Sequence, residues 1–145
     1  MADWLHETRP NKKTVIPSKK IRFRDVNCDY GLAINQMQLL VDNDLAINTQ
    51  IKNLLSTTYG SEDYEPTFGS SLPLRIMEPI NLVSAYLIER DTIGAISTWM
   101  NDRIRLVLKG AFVVPLYDEE GYNIELPYVR VSDERFTVFS FDVLR

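Results

Sequence analysis

From Asp42 onward the apolar positions repeat at the spacing of a helix: Ile47, Ile51, Leu54 and Leu55 fall at i, i+4, i+7 and i+8. Asn48, Gln50, Lys52 and Asn53 fill the positions between them, so one face is apolar and the other polar. Asp42 or Asn43 is the expected N-cap, and Gly60 lies just past the end as a stop. A second helix is predicted from Asn81, as its cap, to about Asp102, with Leu82, Tyr86, Ile93, Ile96 and Met100 on a shared face and Trp99 beside it. Glu89 interrupts that face. Gly94 costs a helix about 1 kcal/mol relative to alanine, so a second backbone is expected close to it.

The period then changes from helical to alternating. Residues 104–117 and 122–131 are rich in β-branched and aromatic residues and read as strands joined by a turn at 118–121. A second turn at 132–134 leads into residues 135–144. There Phe139, Phe141 and Val143 alternate with Phe136, Val138 and Leu144, so both faces are apolar. Such a strand needs cover on both sides, and part of that cover is expected from another chain. Upstream, residues 21–24 alternate apolar and basic like a short edge strand, and 25–31 read as a turn. Residues 32–41 show no clean period and stay open between strand and loop. The pattern as a whole predicts an α+β fold: two helices packed on a small, mainly antiparallel sheet, preceded by an extended N-terminal arm. Residues 1–40 form the arm and edge segment, and 41–145 form one domain.

Between the helices lies a stretch, residues 58–72, that can continue neither. Gly60 and Gly69 permit positive φ, and Pro66 biases Glu65 toward extended backbone. Residues 72–77 add an apolar patch broken by Pro73, which covers part of the core. Tyr64 and Phe68 flank Pro66, and two rings in so polar a loop predict that it is pinned to the core.

Composition changes this picture little. With 145 residues, 45% apolar and 25% charged, the chain is an ordinary globular sequence, without an 18-residue apolar run or a secretory start. The net charge of −4 conceals an asymmetry. Residues 1–24 carry seven basic side chains against two acidic ones, a net +5, which leaves −9 on the rest. A basic arm bearing Lys12, Lys13, Lys19 and Lys20 on an acidic body points to an acidic protein neighbour. Aromatic residues are not interleaved among these lysines, so nucleic acid is not the expected partner.

Candidate chemistry is sparse. One cysteine, Cys28, and one histidine, His6, exclude an intramolecular disulfide and argue against a zinc site or a thiol–imidazole pair. Glu62, Asp63, Glu65 and Glu78 cluster near the junction, where a glycosidase pair would be sought, but their spacing reads as solvated loop charge. The run 118–120 lacks calcium-loop spacing, and no phosphate loop, dinucleotide fingerprint or nucleophile elbow occurs. No enzyme, metal or cofactor is expected.

The junction also carries a resemblance. Gly60-Ser61-x-x-Tyr64-Glu65-Pro66-x-Phe68-Gly69, following residues 51–58 and preceding Leu72, resembles the short baseplate wedge proteins of contractile-tailed bacteriophages, relatives of type VI secretion baseplate subunits that sometimes carry a lysozyme label. The match runs over roughly residues 42–114. It implies a virion structural protein of the tail baseplate, assembled in the host cytoplasm, that joins the inner wedge to the first sheath ring. Its partners would be other wedge proteins and the tail sheath subunit, with the central hub or tube as further candidates, and no membrane. Within that reading Gly60, Tyr64, Pro66, Phe68 and Gly69 form a structural loop. Phe136, Val138, Phe139, Phe141 and Val143 would offer a strand to the sheath. Where the family has Glu-Pro-Arg at the end of the long helix, this chain has Asn101-Asp102-Arg103, so only Arg103 carries over as a wedge contact. A small peptidoglycan hydrolase and a basic-arm nucleic-acid-binding module are the alternatives.

Overall fold

The computed structural model describes residues 23–26 and 40–145. Their elements, in chain order, are β1 (Arg24–Val26), β2 (Leu40–Asp42), α1 (Asp44–Ser56), α2 (Leu72–Arg75), α3 (Leu82–Trp99), β3 (Ile104–Leu106), a 3-10 turn (Leu108–Gly110), β4 (Phe112–Leu116), β5 (Gly121–Arg130) and β6 (Phe136–Leu144). Strand β5 is the axis of a four-stranded antiparallel sheet. β6 pairs with it in unbroken register from Gly121↔Leu144 to Val129↔Phe136. The other side of β5 is shared: β4 covers its first half, from Leu116↔Gly121 to Phe112↔Glu125, and β3 its end, from Leu106↔Tyr128 to Ile104↔Arg130.

That sharing explains two departures from the sequence pattern. Residues 104–117 are not one strand, because three residues are looped out as the 3-10 turn where the chain passes from the end of β5 to its beginning. Pro127 sits opposite that break. Its carbonyl accepts from the Val107 N–H at 2.8 Å, and its missing N–H falls where no β4 or β3 residue is paired with it, so a proline is tolerated within a central strand. Gly110 is fitted to the same proline, since a Cβ there would lie 2.8 Å from Pro127 Cγ.

Helices α1 and α3 lie on one face of the sheet. Ile47, Ile51, Leu54 and Leu55 of α1 are buried, as their spacing predicts, against Ile124, Leu126, Tyr128 and the ring of Phe139. Asn43 holds the N-cap position of α1, but its side chain makes no cap bond; its backbone N–H donates to the Phe23 carbonyl at 2.8 Å instead. Asn81 does cap α3, its Oδ1 accepting from the Ser84 N–H at 2.8 Å.

The buried face of α3 matches the expected one in its second half, where Ile96 and Met100 are buried and Ile93 packs against the core, and departs from it in the first. Ser84, Ala85, Ile88, Thr92, Ala95 and Ile96 point inward, while Leu82 and Tyr86 are exposed. Among the described residues no other backbone approaches Gly94, where an added Cβ would meet nothing within 4 Å. The apolar patch at 72–77 opens with the short helix α2. The upstream strand is described at Arg24–Val26, so Asp25 belongs to a strand and not to a turn; residues 21, 22 and 27–31 of those two expectations lie outside the described residues. It pairs antiparallel with β2, which resolves the end of the undecided stretch as strand.

Candidate partner-binding surfaces

The first surface is the edge of β6 that faces away from β5, together with its outer face. In the register of β5 and β6, Arg130 N–H donates to the Arg135 carbonyl at 2.9 Å and Arg145 N–H to the Glu120 carbonyl at 3.0 Å. Antiparallel ladders bond at every second residue. The backbone groups of Thr137, Phe139, Phe141 and Val143 therefore face β5, and those of Phe136, Val138, Ser140, Asp142 and Leu144 face away from it. Among the described strands β6 pairs with β5 alone, so that outward row meets no described strand.

The side chains divide in the same way. Phe139 is buried, and Phe141 and Val143 are half-buried on the helix side, with Lys52 of α1 placed 5.6 Å over the Phe141 ring. Phe136, Val138 and Leu144 lie on the opposite face at 58%, 48% and 57% exposure, joined there by Phe112 and Val114 of β4. No described helix covers that side. The expectation of a final strand apolar on both faces with only one of them covered by its own fold thus describes the structure among the described residues.

The second surface is built by the junction loop. Gly69 has φ +119, and a Cβ on it would lie 2.5 Å from the Thr57 carbonyl oxygen, so the close pass of residues 57 and 70 requires glycine there. Ser70 is fully buried beside it; its N–H donates to the Thr57 carbonyl at 2.8 Å and its Oγ to the Leu55 carbonyl at 2.7 Å. Gly60 N–H closes the loop on the Pro66 carbonyl at 2.8 Å. Phe68 meets Trp99 edge to face, with centroids 5.2 Å apart, and this contact pins the loop to the end of α3. Tyr64 does not share that role. It is 99% exposed, because Phe68 alone turns toward the core after Pro66.

Arg103 lies at the far side of the same region. Its Nη1 donates to Gln50 Oε1, and its Nε stands 3.8 Å from Asp102. With Glu65, Phe68, Trp99 and Asp25 it lines a cleft of about 360 Å³. The loop and Arg103, singled out separately in the sequence, are therefore brought together. Lys12, Lys13, Lys19 and Lys20 lie outside the described residues.

Two polar clusters were not anticipated. Arg130 is 97% buried as a residue, between Asp133, which it meets through Nε at 2.7 Å and again through Nη2, and Asp44 of α1 at 3.0 Å. Asp44 also stands 3.6 Å from Arg135, and Tyr128 donates to Asn48 at 2.8 Å. Burial and the Asp44 carboxylate push the Tyr128 hydroxyl up to about 12. The second cluster joins Asp91 of α3 to Ser71 and to Arg75 of α2, whose Nε lies 2.7 Å away. Burial alone would raise the Asp91 carboxyl; the bonds from Ser71 and Arg75 outweigh it and hold the group below the usual carboxylate range. An arginine in an otherwise inward-facing strand position was the one signal that pointed to the first cluster; nothing in the sequence paired Asp91 with residues sixteen or more positions away.

Helices on one face of a four-stranded antiparallel sheet, with the last strand at its edge among the described residues, define a two-layer α+β protein. No protein-family model matches the chain, and no curated protein matches it. Among solved structures, it is similar to a crystal structure from Geobacter sulfurreducens provisionally named a tail lysozyme, at 24% identity and a TM-score of 0.59, over 68% of this chain and 86% of that one. The likeness is one of fold.

Proposed function

We propose that this chain is a non-enzymatic structural subunit of a contractile-tail baseplate, which joins the inner wedge to the first sheath ring and templates sheath assembly by strand pairing. The observation that carries this reading is the edge of β6. Five residues in a row of alternation present both their backbone groups and their side chains away from the body, and three of those side chains are large and apolar. Strand addition takes its affinity from main-chain bonds and its selectivity from such alternating side chains, and it needs no catalytic group. The fold likeness to a tail-named protein agrees with a place in a phage tail. Wedge contact would use the junction loop and Arg103.

The neighbour's name is also the ground for a second reading, a peptidoglycan hydrolase. Its carboxylates would be Glu62, Asp63 and Glu65, all exposed on the loop, and Glu78, 3.7 Å from Arg75. A general acid needs an apolar pocket to keep its proton near neutral pH, and these side chains stand in solvent. The structural reading is therefore preferred. The nucleic-acid alternative rests on residues 9–24, of which only Phe23 and Arg24 are described.

Ser140→Pro tests the reading directly. Its N–H faces outward, so proline removes a donor from the edge that faces away from β5 and leaves the bonds to β5 in place. Baseplates reconstituted with this variant, or with Val138→Lys, are expected to assemble and remain bare of sheath, with unchanged circular dichroism. Normal sheath growth on both would refute strand templating by β6. Cell-wall lysis by the wild type that disappears in Glu65→Gln/Glu78→Gln would favour the hydrolase.

A further inference from the structure

The junction loop separates two depressions that share Glu65 and Phe68. One, of about 350 Å³, is bounded also by Glu62 and Tyr64; the other is the cleft of about 360 Å³ that continues past Trp99 to Arg103. The two adjoin as a groove only through these shared residues: two carboxylates and two aromatic side chains line the first, and Phe68, Trp99, Asp25 and the Arg103 guanidinium line the second. Among the described residues no cation pairs with Glu62 or Glu65. The Tyr64 ring is almost wholly in water. Loop closure by Gly60 and Ser70 holds the parts in place beforehand, so a ligand would pay little to order them.

We propose that this groove docks a basic, extended segment of a neighbouring protein, with one lysine or arginine side chain lying between Glu62 and Glu65 against the rings of Tyr64 and Phe68. Charge complementarity argues for that occupant. Beyond residue 24 the chain carries a net −9, and here two of its carboxylates line one depression with two aromatic side chains, a combination that favours a cation. Arg103, steadied by Gln50, is placed to meet a carbonyl or carboxylate farther along the same segment. The surface is separate from the β6 edge, so the inference stands whether or not strands add there.

The test uses the full chain, isotopically labelled, with the indole N–H of Trp99 as reporter. The probes are a ten-residue peptide of alternating lysine and alanine and its glutamate–alanine counterpart. The lysine peptide is expected to shift the Trp99 signal, to weaken with added salt, and to lose about tenfold in affinity in Glu62→Gln/Glu65→Gln. Tyr64→Ala is expected to weaken it as well, while Glu119→Gln/Glu120→Gln, at a distant turn, leaves it unchanged. Equal binding of the glutamate peptide, or unchanged affinity in the loop variants, would overturn the proposal, as would no binding by either peptide. Binding that appears only after residues 1–22 are removed would also overturn it, because the chain's own basic segment would then be the occupant.

Discussion

Arg130, at the end of β5, reaches across to Asp44, in the first turn of α1, and the two charges meet at 3.0 Å with the guanidinium almost entirely buried. This contact and the paired Asp133 tie the β5–β6 hairpin to the helix layer at one end of the sheet. It fixes the end of β5, the strand against which β6 is laid.

Removing the guanidinium leaves Asp44 facing a hole, and breaking a buried pair on one side costs about 3–5 kcal/mol. Asp44 and Asp133 retain some solvent, so Arg130→Ala is expected near the lower end of that range. Asp133→Asn should cost much less, since Asp44 still compensates the arginine. Urea unfolding of the three proteins measures both differences; equal stability of Arg130→Ala and the wild type would show the network to be idle.

Two glycines should respond in opposite directions to the same change. Gly69→Ala puts a Cβ 2.5 Å from the Thr57 carbonyl oxygen at φ +119, and a cost of about 2 kcal/mol or more is expected. Gly94→Ala adds a methyl in open space on an exposed helical turn and should stabilise by about 0.5–1 kcal/mol. Thermal melts of both variants distinguish a glycine required by the backbone from one that is merely present.

These glycines show how far the sequence could be read. At Gly69 a break in periodicity and the neighbouring Pro66 marked a loop, and the loop geometry does demand glycine. At Gly94 the same residue type inside a helix led to the expectation of a close backbone, which the described residues do not supply, because a helical glycine does not reveal whether its face is packed. The face of α3 was read correctly at Ile96 and Met100 and misjudged in its first turns, where Leu82 and Tyr86 fit an apolar stripe yet Ser84, Ala85 and Ile88 are the buried residues. β6 was legible as a strand because its nine residues are rich in aromatic and β-branched side chains, and with both faces apolar the pattern did not say which one its own fold covers. Arg130–Asp44 and Asp91–Arg75 were not legible, since ion pairs between distant segments leave no periodic trace.

Asp91 makes a prediction for acid. Its carboxyl lies below the ordinary range in the folded protein, so its ionised form contributes stability that is fully present above the unfolded pKa, about 4, and is lost as pH falls through the lower folded value. Asp91→Asn should be less stable by about 1–2 kcal/mol at neutral pH, having lost charge-assisted bonds to Ser71 and Arg75. That gap should narrow as both proteins are titrated below pH 4. A gap that stays constant with pH would mean that the ionised form contributes nothing.

Tyr128 predicts the behaviour in alkali. Its hydroxyl, raised to about 12 by burial and by Asp44, stays protonated in the folded chain over a range where an unfolded tyrosine, with a pKa of about 10, has already ionised. Folding therefore binds a proton between those values. The stability it brings is complete below about pH 10 and declines as pH rises toward 12, by roughly 2–3 kcal/mol in all at about 1.4 kcal/mol per pH unit. Tyr128→Phe removes that decline along with the hydrogen bond to Asn48, so it should begin less stable at neutral pH and fall less steeply between pH 10 and 12. Unfolding followed at several pH values in that window reads the two slopes; parallel slopes would place the alkaline loss elsewhere in the protein.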